Sequence, residues 1–138
     1  MGPMPDTTRL LSGHPAGYKV GDIDPAMYSS GRWAFVDMSF TAWVGPWGIS
    51  YPANLTPDPE TGLGNWTEDL FIKAIRTGKH MGVGRPLLPP MPWPALNNYD
   101  DADLKAIFAY FHSLPAVHNQ VPEPVTPDMM ASYLKKDK

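Results

Sequence analysis

The chain has 138 residues, 43% hydrophobic and 18% charged, with a net charge of −3, which suits one folded unit with one core. No basic run stands out, which argues against a nucleic-acid partner, and no apolar run is long enough to span a bilayer. Cysteine is absent, so disulfides, Cys-ligated zinc, iron–sulfur clusters and thioether-linked haem are excluded within these residues. There are 17 Pro and 12 Gly, together with 5 Trp, 6 Tyr and 5 Phe. Disordered Pro-rich chains are poor in aromatics, so this reads as a loop-rich fold with aromatic packing.

Residues 1–31 are punctuated by Pro3, Pro5, Gly13, Pro15, Gly17, Gly21, Pro25 and Gly31 and read as an irregular arm, with a short turn at 7–12. The start, Met1-Gly-Pro-Met-Pro-Asp, lacks the charge and apolar run of a signal peptide. Residues 32–44 alternate, with Ala34, Val36, Met38, Phe40, Ala42 and Val44 on one face and Asp37, Ser39 and Thr41 on the other, which predicts a half-buried strand. Gly45-Pro46-Trp47-Gly48 is turn chemistry and 49–55 can return, giving a β-hairpin around 34–55. Residues 54–62 then lead through turns.

Residues 67–77 predict a helix, with Thr67 as N-cap, Glu68 and Asp69 at its positive end and Gly78 just past its C-terminus. Phe71, Ile72, Ala74 and Ile75 make its apolar stripe, and Lys73 and Arg76 face water. The clearest helix is 100–114. Asp100 caps it, Asp103 completes an acidic variant of a capping box, Leu104, Ile107, Phe108, Phe111 and Leu114 form the stripe, and Pro115 stops it. After a Pro-rich exit, Thr126-Pro127-Asp128 opens a short last helix to about Lys135. The organisation is thus an arm over 1–31, a domain over 32–124 and a tail or short helix over 125–138.

Between the two main helices lies a loop, 78–93, Gly-Lys-His-Met-Gly-Val-Gly-Arg-Pro-Leu-Leu-Pro-Pro-Met-Pro-Trp. Pro89, Pro90 and Pro92 hold Met91 in a stiff extended backbone. A thioether is a soft ligand for haem iron or copper, and a ligand must be held still. An isolated Met is more often a core gap-filler, so both readings stand on spacing alone. His80 is a metal-ligand candidate or, with Lys79, a cation at a helix C-terminus. His112 reads as solvated or pairing with the helix dipole, and His14 and His118 carry little signal. Asp58 and Glu60 read as solvated turn residues, and Trp33, Trp43 and Trp47 as hairpin packing. No Gly-x-Ser-x-Gly or dinucleotide loop occurs, a hydrolase reading has nothing to stand on, and the expectation is that the chain is not an enzyme.

Several segments together resemble one family. They are Trp43-Val-Gly-Pro-Trp-Gly-Ile-Ser with Ala53-Asn-Leu-Thr-Pro-Asp, Thr61-Gly-Leu-Gly-Asn-Trp-Thr, Phe71-Ile-Lys-Ala-Ile-Arg-Thr-Gly-Lys-His, Leu88-Pro-Pro-Met-Pro-Trp, and Asp103-Leu-Lys-Ala-Ile-Phe-Ala-Tyr-Phe-His-Ser-Leu-Pro. From Trp43 to Pro124 the chain is similar to bacterial class I c-type cytochromes of the diheme type, exported electron carriers that serve dehydrogenases and oxidases. The resemblance implies a mainly α, cytochrome c-like domain around haem c, periplasmic or exported. It implies Met91 as the distal axial ligand of the haem iron, Trp93 and Arg85 as further cofactor contacts, and a dehydrogenase or oxidase as redox partner. The family's Cys-x-x-Cys-His is absent, and with it the proximal His and the N-terminal haem-attachment helix. The expectation is therefore a distal, truncated portion that cannot attach haem covalently. Without that helix the Leu104, Ile107, Phe108 and Phe111 face is expected to be uncovered and to favour self-association unless the arm fills the gap. The alternatives are a haem-free interaction module and a non-covalent haem or copper binder using Met91 and His80.

Overall fold

A computed structural model describes residues 6–134. The predicted end of the last helix at Lys135 and the first five residues of the arm lie outside them. Helix is the main regular element, yet most of the described residues are turns and loops. In chain order the elements are a 3₁₀ turn Thr7–Arg9, α1 (Pro25–Ser29), β1 (Phe35–Val36), β2 (Trp43–Gly45), β3 (Gly48–Ser50), α2 (Glu68–Thr77), a 3₁₀ turn His80–Gly82, α3 (Trp93–Leu96), α4 (Asp101–Ser113) and a 3₁₀ helix Pro127–Ser132.

The strands form an antiparallel meander in the order β1-β2-β3, with Phe35 opposite Val44 and Gly45 opposite Gly48. The single strand expected over 32–44 is therefore two strands. The Asp37 carboxylate accepts from the Ser39 amide at 2.8 Å, and the Phe40 amide donates to the Asp37 carbonyl at 2.8 Å, folding the chain back at 37–41. An Asp two residues ahead of a Ser offers the backbone a local turn that competes with the ladder. The consequence is a change of face. Phe35 packs inward, whereas Val36, Met38 and Phe40 are exposed and only Ala42 and Val44 of the predicted inner row are buried. Trp33, read as hairpin packing, is also exposed. Within the arm, Asp24 accepts from the amides of Ala26 and Met27 and Pro25 stands at the first helical position, so α1 forms where irregular chain was expected.

Both main helices start and stop as their caps dictate. Thr67 accepts from the Leu70 amide at 3.2 Å and Gly78 ends α2 in the left-handed conformation. The Asp100 carboxylate accepts from the Asp103 amide at 2.8 Å and opens α4. Phe71 and Ile75 of α2 bury Leu104 and Phe108 of α4, with Ile107 and Phe111 half-covered. The face expected to lie uncovered is thus occupied by α2, not by the arm. Arg76 does not simply face water. Its guanidinium donates to the carbonyls of Asn97 and Tyr99 and to Asp101, locking the start of α4 to the end of α2.

A second apolar cluster gathers Ala42, Val44 and Ile49 of the meander with Val125 and Met130 of the C-terminal segment. Val125 and Ile49 exchange amide–carbonyl bonds at 2.9 Å, which fastens that segment to β3.

Candidate functional site

The 78–93 loop is fixed at both ends. The Leu87 amide donates to the Gly78 carbonyl at 2.8 Å and the His80 amide to the Arg85 carbonyl at 2.9 Å, closing residues 79–86 into a tip. Gly78 has φ +63°, and a Cβ there would meet the Trp93 indole at 2.6 Å. Glycine therefore lets both the left-handed turn and the seating of Trp93 on the end of α2 occur. Between these anchors the Met91 amide donates to the Leu88 carbonyl at 3.1 Å, and the Ser50 hydroxyl of β3 donates to the Pro89 carbonyl. Pro89, Pro90 and Pro92 bring no amide donors and narrow φ, so few anchors suffice. Met91 is carried on this frame with 40% of its surface exposed.

The other sequence-predicted residues fall as follows. Trp93 is half-buried on Gly78 and opens α3. Arg85 stands 3.7 Å from Glu123, an exposed ion pair that tethers the tip weakly to the Pro-rich exit. His80 is exposed as a residue, but its ring stands edge-on to Trp66 at 5.4 Å. That burial of the ring, and then the Arg85 guanidinium, hold its imidazolium below the usual range, with Glu123 pulling the other way. His80 and Met91 share the loop, and among the described residues no hydrogen bond joins them.

Of the remaining histidines, His14 and His112 are not the weakly placed groups that the sequence suggests. His14 is fully buried. Its Nδ1 lies 2.9 Å from the Thr41 hydroxyl, its Nε2 donates to the Tyr18 carbonyl at 3.3 Å, and its ring lies over Tyr51 at 4.5 Å. His112 donates from Nε2 to the Leu63 carbonyl at 3.0 Å and packs on Phe108 at 4.2 Å, so α4 holds the turn ahead of α2. His118 lies 3.5 Å from Asp58 and 3.7 Å from Glu60. Asp58 is not solvated but buried, and the Thr61 hydroxyl that donates to it at 2.6 Å, more than the opposing desolvation, keeps its carboxyl below the ordinary range.

Asp58 belongs to a buried polar network that sequence reasoning missed. Asn119 donates to the carbonyls of Ser12 and His14 at 2.7 and 2.8 Å and accepts from the Ala16 amide and the Arg9 guanidinium. Asn54 donates to the Val117 carbonyl at 2.8 Å and accepts from the Thr56 amide and hydroxyl. The Thr61 hydroxyl accepts from Asn54 and from the Asn119 amide while donating to Asp58. Arm, central turns and the Pro-rich exit segment are joined here. The available signal was Asn-Leu-Thr-Pro-Asp at 54–58, since Asn and Asp favour local backbone bonding.

Haem c needs thioether cysteines and a proximal imidazole besides a distal ligand. This chain has no Cys, the rings of His14 and His112 are engaged, and His118 is placed between two carboxylates. Among the described residues no group of three His, Cys, Asp or Glu side chains could hold a metal. The residues present do not by themselves fit haem c. In the 78–93 loop they present two exposed thioethers, Met81 and Met91, of which Met91 is the one set between prolines.

The chain has relatives that put this donor in context. It is 42% identical over 77 residues to a subunit of the nicotinate dehydrogenase of Pseudomonas putida, covering 56% of this chain and 6% of that protein. It is 40% identical over 81 residues to the cytochrome c subunit of alcohol dehydrogenase (quinone) of Gluconobacter oxydans, covering 56% of this chain and 17% of that subunit. It is 44% identical over 66 residues to the gluconate 2-dehydrogenase cytochrome c subunit of Pantoea cypripedii, covering 48% of this chain and 15% of that subunit. The chain thus spans only a small part of the curated relatives it matches. No family model matches it.

Proposed function

We propose that these residues form the distal-ligand side of a cytochrome c-type electron-transfer domain. The observation that carries this reading is Met91, a half-exposed thioether on a loop anchored to both α2 and β3. Similarity to cytochrome c subunits of dehydrogenases supports it. A Met sulfur on haem iron raises the potential, which suits a carrier rather than a catalyst. Haem c would need a proximal imidazole and thioether cysteines supplied from outside these 138 residues. Met91 would supply the distal sulfur, and Trp93 and Gly78 fix the loop behind it. Arg85, at the tip and loosely paired with Glu123, would offer a cation to an acidic group of the cofactor. The partner is a dehydrogenase subunit that delivers electrons, and the location is outside the cytoplasm.

The test is the intact mass and haem content of the native polypeptide carrying these residues, purified from its source cells. A covalent haem adduct on a polypeptide above 15.2 kDa is the expected result. A haem-free polypeptide of this mass would contradict the proposal and leave the haem-free module.

A further inference from the structure

Met91 is the end of a chain of contacts that starts in the β2–β3 turn. Gly45 has no side chain, and a Cβ there would collide with the Trp47 ring. The ring therefore lies down over the turn, and its indole Nε1 donates to the Ser50 hydroxyl at 3.1 Å. That hydroxyl has one proton, and it is given to the Pro89 carbonyl. Ser50 is only 5% exposed, so the bond is shielded from competing water. Pro89 is two residues from Met91, in the same Leu88–Met91 turn. No amide hydrogen is available at Pro89, Pro90 or Pro92, so this carbonyl is one of few handles by which the rest of the molecule can grip the segment.

We infer that Ser50 is a positioning residue for the Met91 thioether, aligned by Trp47 and acting through the Pro89 carbonyl. β3 is itself held by Val125 and the second apolar cluster, so the grip reaches into the C-terminal segment. Without the Ser50 hydroxyl the proline segment keeps its internal turn but loses its hold on the sheet, and the sulfur becomes more accessible. The consequence for a bound haem rests on the distal-ligand reading. The positioning itself is testable without haem.

The experiment compares wild type, Ser50→Ala, Ser50→Thr and Trp47→Phe, all haem-free, by the rate at which dilute peroxide forms sulfoxide at each Met, read by peptide mass spectrometry. Met38, 77% exposed, and Met130, 1% exposed, are the internal controls. Met91 is expected to oxidise faster in S50A, by up to about 2.5-fold, the ratio of full exposure to its present 40%. S50T, which keeps the hydroxyl, restores the wild-type rate, and W47F gives a smaller increase. The Met38 and Met130 rates stay unchanged. An unchanged Met91 rate in S50A would overturn the inference. So would Met91 and Met130 rising together, because the effect would then be general loosening. If S50A does not fold, W47F alone decides by the same two criteria. Failure of Met91 to ligate haem would leave this result standing, and an unaltered Met91 rate would leave the ligand proposal standing, so the two are separable.

Discussion

Asn119 shows how much a single side chain carries here. Its amide group makes bonds to Ser12, His14, Ala16 and Arg9, and it is 4% exposed. Asn119→Ala strands two buried carbonyls and an amide, so a loss of roughly 3 kcal/mol is expected in urea unfolding. Asn119→Asp should be no milder, because a carboxylate cannot donate to the two carbonyls. His80 gives a pH signature. Its imidazolium is disfavoured by burial and by Arg85, so the folded state binds its proton below the unfolded value of about 6.5. The stability it contributes is full above that pH and is lost as pH falls through the lower folded value. His80→Gln should flatten the decline in stability just below pH 6.5 and leave neutral-pH stability little changed. An unaltered slope would contradict the assignment. None of these roles could be seen in the sequence, since a lone Asn or His in a loop gives no sign of which distant groups it will meet.

At the scale of elements, the helices were legible because their signals are local. Thr67, Gly78, Asp100 and Pro115 each act on the backbone within a few residues, and α2 and α4 begin and end as they require. The 32–44 segment was misread because its alternation of apolar and polar residues is the same whether the chain runs straight or turns. The turn is decided by the Asp37 carboxylate accepting from the Ser39 amide, by the Ser39 hydroxyl accepting from the Thr41 amide, and by the Thr41 hydroxyl meeting His14, a residue far away in sequence. Gly78 joins an element to the candidate site. Gly78→Ala places a Cβ against the Trp93 indole and forces an L-residue into a left-handed cap. A loss of about 1–2 kcal/mol is expected, with a shift in Trp fluorescence as Trp93 moves. A loss without any change at Trp93 would mean that the cap matters and the seating does not.

At the scale of the molecule, two apolar clusters are joined by polar bonds rather than by shared apolar packing. Phe108→Ala, in the α2–α4 cluster, should cost about 3–5 kcal/mol, and Ile49→Ala, in the meander, about 2–5 kcal/mol. With no shared partners the two should add to within about 0.5 kcal/mol in the double variant. A larger coupling would indicate one continuous core. The resemblance reached the loop and the helices because their motifs are contiguous, and it overlooked how α2 covers α4, which depends on packing. The central claim is that Met91 is a distal ligand. The direct test is to titrate the chain with a haem peptide carrying Cys-x-x-Cys-His and to record the absorption spectrum for wild type and Met91→Ala. A shifted Soret band and a sulfur-to-iron charge-transfer band are expected in wild type, with both lost in M91A and both kept in His80→Ala. Identical spectra for wild type and M91A would contradict the claim.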